Sequence, residues 1–379
     1  NILMLDFFQK FEKMLDECDE NFYKKLENLV QKPEFEKYRF AIFRISQKRR
    51  RNKSNIYVFF QNTLQIQEKI HQYTLSEEFY QTRIDKNAFC DSVLEIYFSL
   101  AELRTQNAKI LGYQNFFEQQ CEEYMISSSF LDKIIRESDE KYISQNTSER
   151  KSDFIFINEA IDIIYNALNS YDTSLDFFQW MVTHKIFLET ENITSNQAFT
   201  AGTLSQSPYI YMSFSKMNDL FALVHEIHAY QMQYSQNQSI FHFSASPFLE
   251  FCAVFFEKIL EKFLINQKYK KYDFSYFKQK GDILSYSREI FDIEKKIYAN
   301  IEQKIKTTDD CKKYISENSS SLFDFLSYHH IIHSPFYTAT YIFAHTLVPH
   351  FFEKHGFADF QKIASKGSES IDSIFIQYL

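Results

Sequence analysis

His225, Glu226 and His228, followed by Glu250 and Glu257, gather in one stretch the side-chain types that bind a divalent metal and put it to use. The stretch runs DLFALVHEIHAYQMQYSQNQSIFHFSASPFLEFCAVFFE from Asp219 to Glu257. Two neutral imidazoles and one carboxylate are the protein ligands of many catalytic zinc ions, with water in the remaining position. His225, His228 and Glu250 supply that set. Glu257 suits an outer carboxylate that orients a ligand.

The elements that must position these groups are helices. Ser215 caps a helix whose first turn holds Asn218 and Asp219 and whose apolar positions Leu220, Leu223, Val224 and Ile227 recur at helical spacing. His225 and His228 therefore fall on one helix. Ser246 and Pro247 start another, since Ser is a good N-cap and Pro at the first helical position forfeits no hydrogen bond. Glu250 follows in its first turns. Glu257, two turns on, returns to nearly the same face, so both carboxylates look one way.

From about Arg104 onward the chain resembles the thimet oligopeptidase and oligoendopeptidase F family of zinc peptidases. The family pattern has an Asp before an apolar turn, then His-Glu-x-Gly-His-Ala, then a Glu with another Glu seven positions on. Here these read Asp219, LVHEIHAYQ, Glu250 and Glu257. QAFTAGTLSQSPYIYMSF (Gln197 to Phe214) resembles the strand-bearing segment before the zinc helix, and HIIHSPFYTATYIFA (His330 to Ala344) the downstream His and Tyr motif. RTQNAKILGYQNFFEQQCEEY (Arg104 to Tyr124) is similar to a segment that precedes the catalytic core. Motifs in family order are more specific than any one alone. The resemblance implies a mostly α fold, a neurolysin/oligoendopeptidase F-like helical clamshell with a small β element beside the zinc helix. It also implies one zinc ion on His225, His228 and Glu250, with Glu257 and Asp219 behind the ligands. Glu226 is the implied base, and His330, Tyr337 and Tyr341 meet the substrate carbonyl where negative charge develops.

One departure is as informative as the match: the chain has His-Glu-Ile-His where the family has His-Glu-x-x-His. Helical residues four apart differ by about 40° in azimuth and residues three apart by about 60° the other way, so either pair can meet one metal. Glu226 fares worse, because the contraction carries it roughly 50° further from the middle of the histidine pair. Two other registers remain open. Val224 can fill the first ligand slot with His225 in the base slot, or a local distortion can restore the site. A second departure is Ala339, which aligns with a further family tyrosine.

At 379 residues the chain can bury one large core or two smaller domains. Five Gly and five Pro leave room for long uninterrupted elements, and the commonest long pattern is helical. Abundant Phe and Tyr fit a bulky core. A net charge of −8 argues against general nucleic-acid binding. Cys18, Cys90, Cys121, Cys252 and Cys311 are scattered, without a CxxC pair, which fits a reducing compartment rather than a disulfide framework. No apolar run reaches the roughly 18 residues of a membrane span, and NILMLDFFQKFEK is amphipathic rather than a signal peptide.

Along the chain, residues 3 to 31 carry apolar positions at helical spacing, and Gln47 to Ser54 forms a basic loop. Ile56 to Gln145 is helical, with Gly112 ending a helix. The polar interval Ser144 to Ser152 reads as an exposed loop or as the clearest candidate boundary, which would divide an N-terminal helical region, 1–150, from a catalytic-type helical domain with the metal site, 151–379. Glu159 to Leu188 reads as one helix. Tyr209 to Phe214, bounded by Pro208, fits an edge strand that could pair with an extended peptide, which makes Tyr209, Tyr211 and Ser213 candidate substrate contacts. Ser334 and Pro335 read as a helix start, placing Tyr337, Tyr341 and His345 in an i, i+4, i+8 stripe. His242, His329 and His333 are spare imidazoles.

These readings converge on a cytoplasmic zinc metallopeptidase that hydrolyses short unfolded peptides, with no nucleic-acid or membrane partner. Two rivals stand beside it: a catalytically degenerate relative that holds a peptide or partner protein in the old cleft, and a metal enzyme of altered chemistry.

Overall fold

The structure, a computed structural model, describes residues 56–83, 86–139, 157–171, 187–189, 199–203, 206–212, 217–227, 246–267, 275–366, 370–376 and 378. In chain order these form α1 (Ile56–Arg83), α2 (Lys86–Ile110), α3 (Phe116–Glu123), α4 (Ser128–Asp139), α5 (Ile157–Ser170), β1 (Phe187–Glu189), β2 (Phe199–Thr203), β3 (Gln206–Met212) and α6 (Met217–Glu226). There follow α7 (Ser246–Asn266), α8 (Ser275–Asn300), α9 (Thr308–Asn318), α10 (Leu322–Ser327), α11 (His330–His333), α12 (Thr338–Lys354), α13 (Phe357–Ala364) and α14 (Ile371–Phe375). The fold is mostly helical, as the sequence predicts. Among the described residues no helix is long and apolar enough to cross a membrane, and Cys90, Cys121, Cys252 and Cys311 are buried free thiols. The predicted helix at 3–31, the basic loop and the polar boundary at 144–152 lie outside the described residues.

The chain divides into two compact units, Asn1–Ser128 with Glu289–Thr338, and Ser129–Arg288 with Ala339–Leu379. In the first, α2 is the central element, touching α1, α3, α9, α10 and α11. Its buried stripe of Val93, Tyr97, Leu100, Ala101, Arg104 and Ala108 is apolar but for Arg104. Gly112 ends this helix as expected. At φ 90 it occupies the left-handed region, and the bonds Gly112 N–H to Lys109 O and Tyr113 N–H to Ala108 O close the turn. Helix α9 starts on a capping box between Thr307 and Asp310.

In the second unit, α7 packs on α5 and α6 and is buried almost all round, with Phe248, Phe251, Cys252, Phe255, Phe256, Ile259 and Leu260 inside. Phe255 stacks on Phe360 with ring centroids 3.9 Å apart and planes 3° from parallel, and it also meets Phe351 and Phe352. The abundant phenylalanine is thus core, as read from composition.

Three local expectations are corrected. The helix expected over Glu159 to Leu188 stops at Ser170, and Phe187–Glu189 is a strand, because these residues pair in parallel with Ile210–Met212 of β3. The strand expected at an edge is the middle one of a three-stranded sheet, order β1-β3-β2, running antiparallel to β2. Pro208 is tolerated there because it precedes the β1 pairing and lies where the β2 register slips, between Ala201 and Thr203. The third concerns α12, which begins at Thr338 rather than near Pro335. Phe336 has φ 63, outside any right-handed helix, so Tyr337 lies in the preceding turn and the Tyr337–Tyr341–His345 stripe is broken at its first member.

Replacing Phe255 with Ala should lower the unfolding free energy by about 3–5 kcal/mol in urea denaturation, whereas Leu64→Ala, at a side chain 66% exposed, should change it by less than about 0.5 kcal/mol.

Candidate functional site

Helix α6 brings His225 and Glu226 to its C-terminal end while Leu220, Phe221, Leu223 and Val224 bury its other faces. The helix ends at Glu226 with Ile227 in a turn, and His228 lies outside the described residues. Helix α7 starts at Ser246 with Pro247 in its first turn, as predicted, and packs against α6. That packing carries both Glu250 and Glu257 to His225, since residues seven apart on a helix share a face. His225 Nδ1–H donates to Glu257 Oε1 at 2.7 Å. The opposite ring nitrogen, Nε2, stands 3.6 Å from Glu250 Oε2. Glu226, Glu250 and Glu257 are all buried.

The electrostatics follow from this crowding. Burial pulls the His225 imidazole toward its neutral form, but the hydrogen bond it donates to Glu257 and the charges of Glu250, Glu257 and Glu226 outweigh it and raise its pKa to about 10. The three carboxylates thus favour positive charge on the His225 ring. Among the described residues no group of three or more His, Cys, Asp or Glu is arranged to hold a metal ion. His225 and Glu250 make two potential ligands. Ligands of one tetrahedral zinc, each about 2.0–2.2 Å from it, stand about 3.3–3.6 Å apart, so the observed Nε2 to Oε2 separation suits a shared ion.

The remaining expected site residues are placed unevenly. Asp219 lies in the first turn of α6 and Tyr209 and Tyr211 in β3, which contacts α6, while their side chains lie outside the described residues. Ser213 and His242 lie outside them altogether. Tyr341 and His345 sit one turn apart on α12, both partly exposed, and Ala339 is buried.

In the other unit, His330 on α11 stacks on Tyr337, with ring centroids 4.4 Å apart and planes 13° from parallel. His329 lies 3.9 Å from His330 centroid to centroid, and His333 meets Tyr73 edge-on. Burial, reinforced by the neighbouring His329 and His333, lowers the His330 pKa to about 3. His330 is therefore a neutral imidazole across the physiological range, able to donate one hydrogen bond without carrying charge.

Sequence reasoning passed over two residues beneath this pair. Arg104 donates to Tyr298 Oη at 3.3 Å and to the carbonyls of Ile331 and Ile332. Glu294, buried on α8, accepts from Phe336 N–H at 3.0 Å. Each is a charged residue on an otherwise apolar stripe, Leu100–Arg104–Ala108 and Ile290–Glu294–Tyr298, and that interruption is the signal that could have found them.

No protein-family model and no curated protein matches the chain. Solved structures do. A candidate oligoendopeptidase F superposes with a TM-score of 0.69 at 14% identity, over 98% of this chain and 83% of that one. PZ peptidase A with an inhibitor gives 0.68 at 15%, over 98% and 82%. A candidate oligoendopeptidase F from Bacillus anthracis str. Ames gives 0.61 at 16%, over 98% and 81%. The chain has the helical fold of oligoendopeptidase F-type structures.

Because the unfolded histidine titrates near its ordinary value of about 6.5, the unfolded chain takes up a proton between pH 6.5 and about 3 that folded His330 refuses, and stability falls as the pH drops through that window. His330→Gln should reduce the loss of stability between pH 7 and pH 5 in urea denaturation. The wild-type His330 ring should show no titration between pH 5 and pH 8 by carbon-13 NMR.

Proposed function

We propose that the protein is a zinc-dependent oligopeptidase that hydrolyses short, unfolded peptides. The observation that carries this reading is the pairing of His225 with Glu250 and Glu257, one carboxylate on each ring nitrogen, in a chain with the fold of oligoendopeptidase F-type structures. His225, Glu250 and His228 would hold the ion. A bound zinc supplies a Lewis acid for the scissile carbonyl and lowers the pKa of water.

The chain's own residues divide the remaining work. Glu257 fixes the His225 tautomer, because a carboxylate accepting from Nδ1–H leaves Nε2 with its lone pair for a ligand. Glu226, buried at the end of α6, accepts the proton of the attacking water and returns it to the leaving amine. His330, Tyr337 and Tyr341 donate to the substrate carbonyl oxygen as negative charge develops on it. A neutral His330 suits this role, since it gives a hydrogen bond without adding a buried charge. A peptide strand joining the sheet would pair with the outer edge of β1 or β2, which no other described strand covers, since β3 is occupied on both sides at Ile210 and Tyr211.

A second reading, a peptide-binding relative without turnover, is favoured by the end of α6 at Glu226 and by buried Ala339 where the resemblance expects a tyrosine. The two part on one experiment. Incubated with a mixed library of short peptides and read by mass spectrometry, the wild-type protein should cleave them. Glu226→Gln should lower turnover by about a hundredfold or more while metal content is unchanged. Peptide binding with no cleavage by wild type would overturn the hydrolase reading in favour of the second.

A further inference from the structure

We infer that Arg104, Tyr124 and Glu294 clamp the turn between α11 and α12 and thereby set the stacked His330–Tyr337 pair, acting as positioning residues for it. The inference rests on the proposed role of that pair at the substrate carbonyl, and it concerns residues to which no part was given above.

The turn holds itself only in part, through Tyr337 N–H to Ser334 O at 3.0 Å. Helix α11 is four residues long: Ser334 N–H meets the His330 carbonyl at 2.8 Å, but four residues on from Ile331 stands Pro335, which has no N–H, and four on from Ile332 stands Phe336, whose N–H goes to Glu294. Phe336 adopts φ 63, a conformation that costs any residue bearing a β-carbon and persists only when its surroundings impose it. Four backbone groups of the segment meet side chains from elsewhere in the unit. Arg104 of α2 donates to Ile331 O at 3.3 Å and also to Ile332 O. Tyr124, just after α3, donates from its hydroxyl to Pro335 O at 3.2 Å. Glu294 of α8 accepts from Phe336 N–H at 3.0 Å. The Phe336 ring is meanwhile held among Phe116, Phe117, Phe291 and Tyr298.

The chemistry of the clamp is more demanding than packing needs. A guanidinium presents donors in a fixed planar fork, which lets Arg104 grip two successive carbonyls and the Tyr298 hydroxyl together. Burying it together with the interacting Glu294 carboxyl costs desolvation that an apolar pair would avoid. What the cost secures is geometry. His330 and Tyr337 are the residues immediately flanking the clamped segment 331–336, and they face each other across it. A shift of the turn moves one ring relative to the other, and misplacement of a reacting group by about 1 Å can cost about a hundredfold in rate.

The test compares Arg104→Met, Glu294→Leu and Glu294→Gln with wild type, using two readouts on protein shown to be folded by its thermal transition. The first is kinetic, on short peptides. Arg104→Met and Glu294→Leu should each lower kcat about tenfold or more with KM changed less than about twofold. Glu294→Gln, which keeps an oxygen acceptor for Phe336 N–H, should rescue kcat to within about threefold of wild type. The second is the NMR shift of the His330 ring in protein carrying carbon-13 histidine. Stacking on Tyr337 should displace it in wild type and Glu294→Gln, and the displacement should vanish in the other two. If Arg104→Met does not fold, Arg104→Lys, which keeps the charge but loses the fork, should give the same two changes in weaker form. Unchanged kcat and an unchanged His330 shift in folded Arg104 and Glu294→Leu variants would overturn the clamp. If no protein cleaves peptides, the hydrolase reading fails, and the NMR comparison still decides the clamp.

Discussion

A carboxylate buried away from water is tolerated only beside positive charge or strong donors, and the second unit buries Glu226, Glu250 and Glu257 around one imidazole. That constraint dictates how α6 and α7 must meet. Their register has to bring residues 250 and 257, on one face of α7, to residue 225 at the end of α6. The apolar remainder of both helices, from Leu220 to Val224 and from Phe248 to Leu264, locks that register by burial. The polar contact is specific and the apolar contact is strong. Neither alone would produce a histidine whose Nδ1 is engaged at 2.7 Å and whose Nε2 is directed at a second carboxylate.

The first unit solves a related problem differently. It buries Arg104 and Glu294 beside a single turn, and uses them to hold backbone groups rather than each other's charge alone. Burial pushes the Glu294 carboxyl up to about 8, against the pull of the Phe336 amide and the Arg104 charge. A polar network of this kind is costly unless satisfied, and here its acceptors and donors are the irregular backbone between α11 and α12. His330 and Tyr337 inherit their stacked arrangement from that backbone.

What could be read from the sequence was what local chemistry determines. Ser246 and Pro247 announced α7, and the seven-residue spacing of Glu250 and Glu257 announced their common face, because helix starts and helical periodicity depend on neighbours in the chain. Gly112 was equally legible, since few other residues occupy a positive φ so cheaply. Phe336 was not, because its positive φ is imposed by Glu294, about forty residues earlier in the chain, and by the surrounding rings, while Ser334-Pro335 gave a plausible but unused helix start. The place of β3 in the sheet was hidden for the same kind of reason. A strand's neighbours are set by pairing, and β1 came from a segment whose apolar pattern read as the tail of a helix. Arg104 and Glu294 were overlooked because charges on buried stripes declare their purpose only through distant backbone partners.

The proposal that His225 and its carboxylates hold a metal cation is tested most directly by the metal content of the purified protein. Protein prepared without added metal and dialysed against metal-free buffer should retain about one equivalent of zinc by elemental analysis, and His225→Ala should retain less than about a tenth. Wild-type protein holding less than about a tenth of an equivalent of any transition metal, even after soaking in zinc and dialysis, would contradict the account.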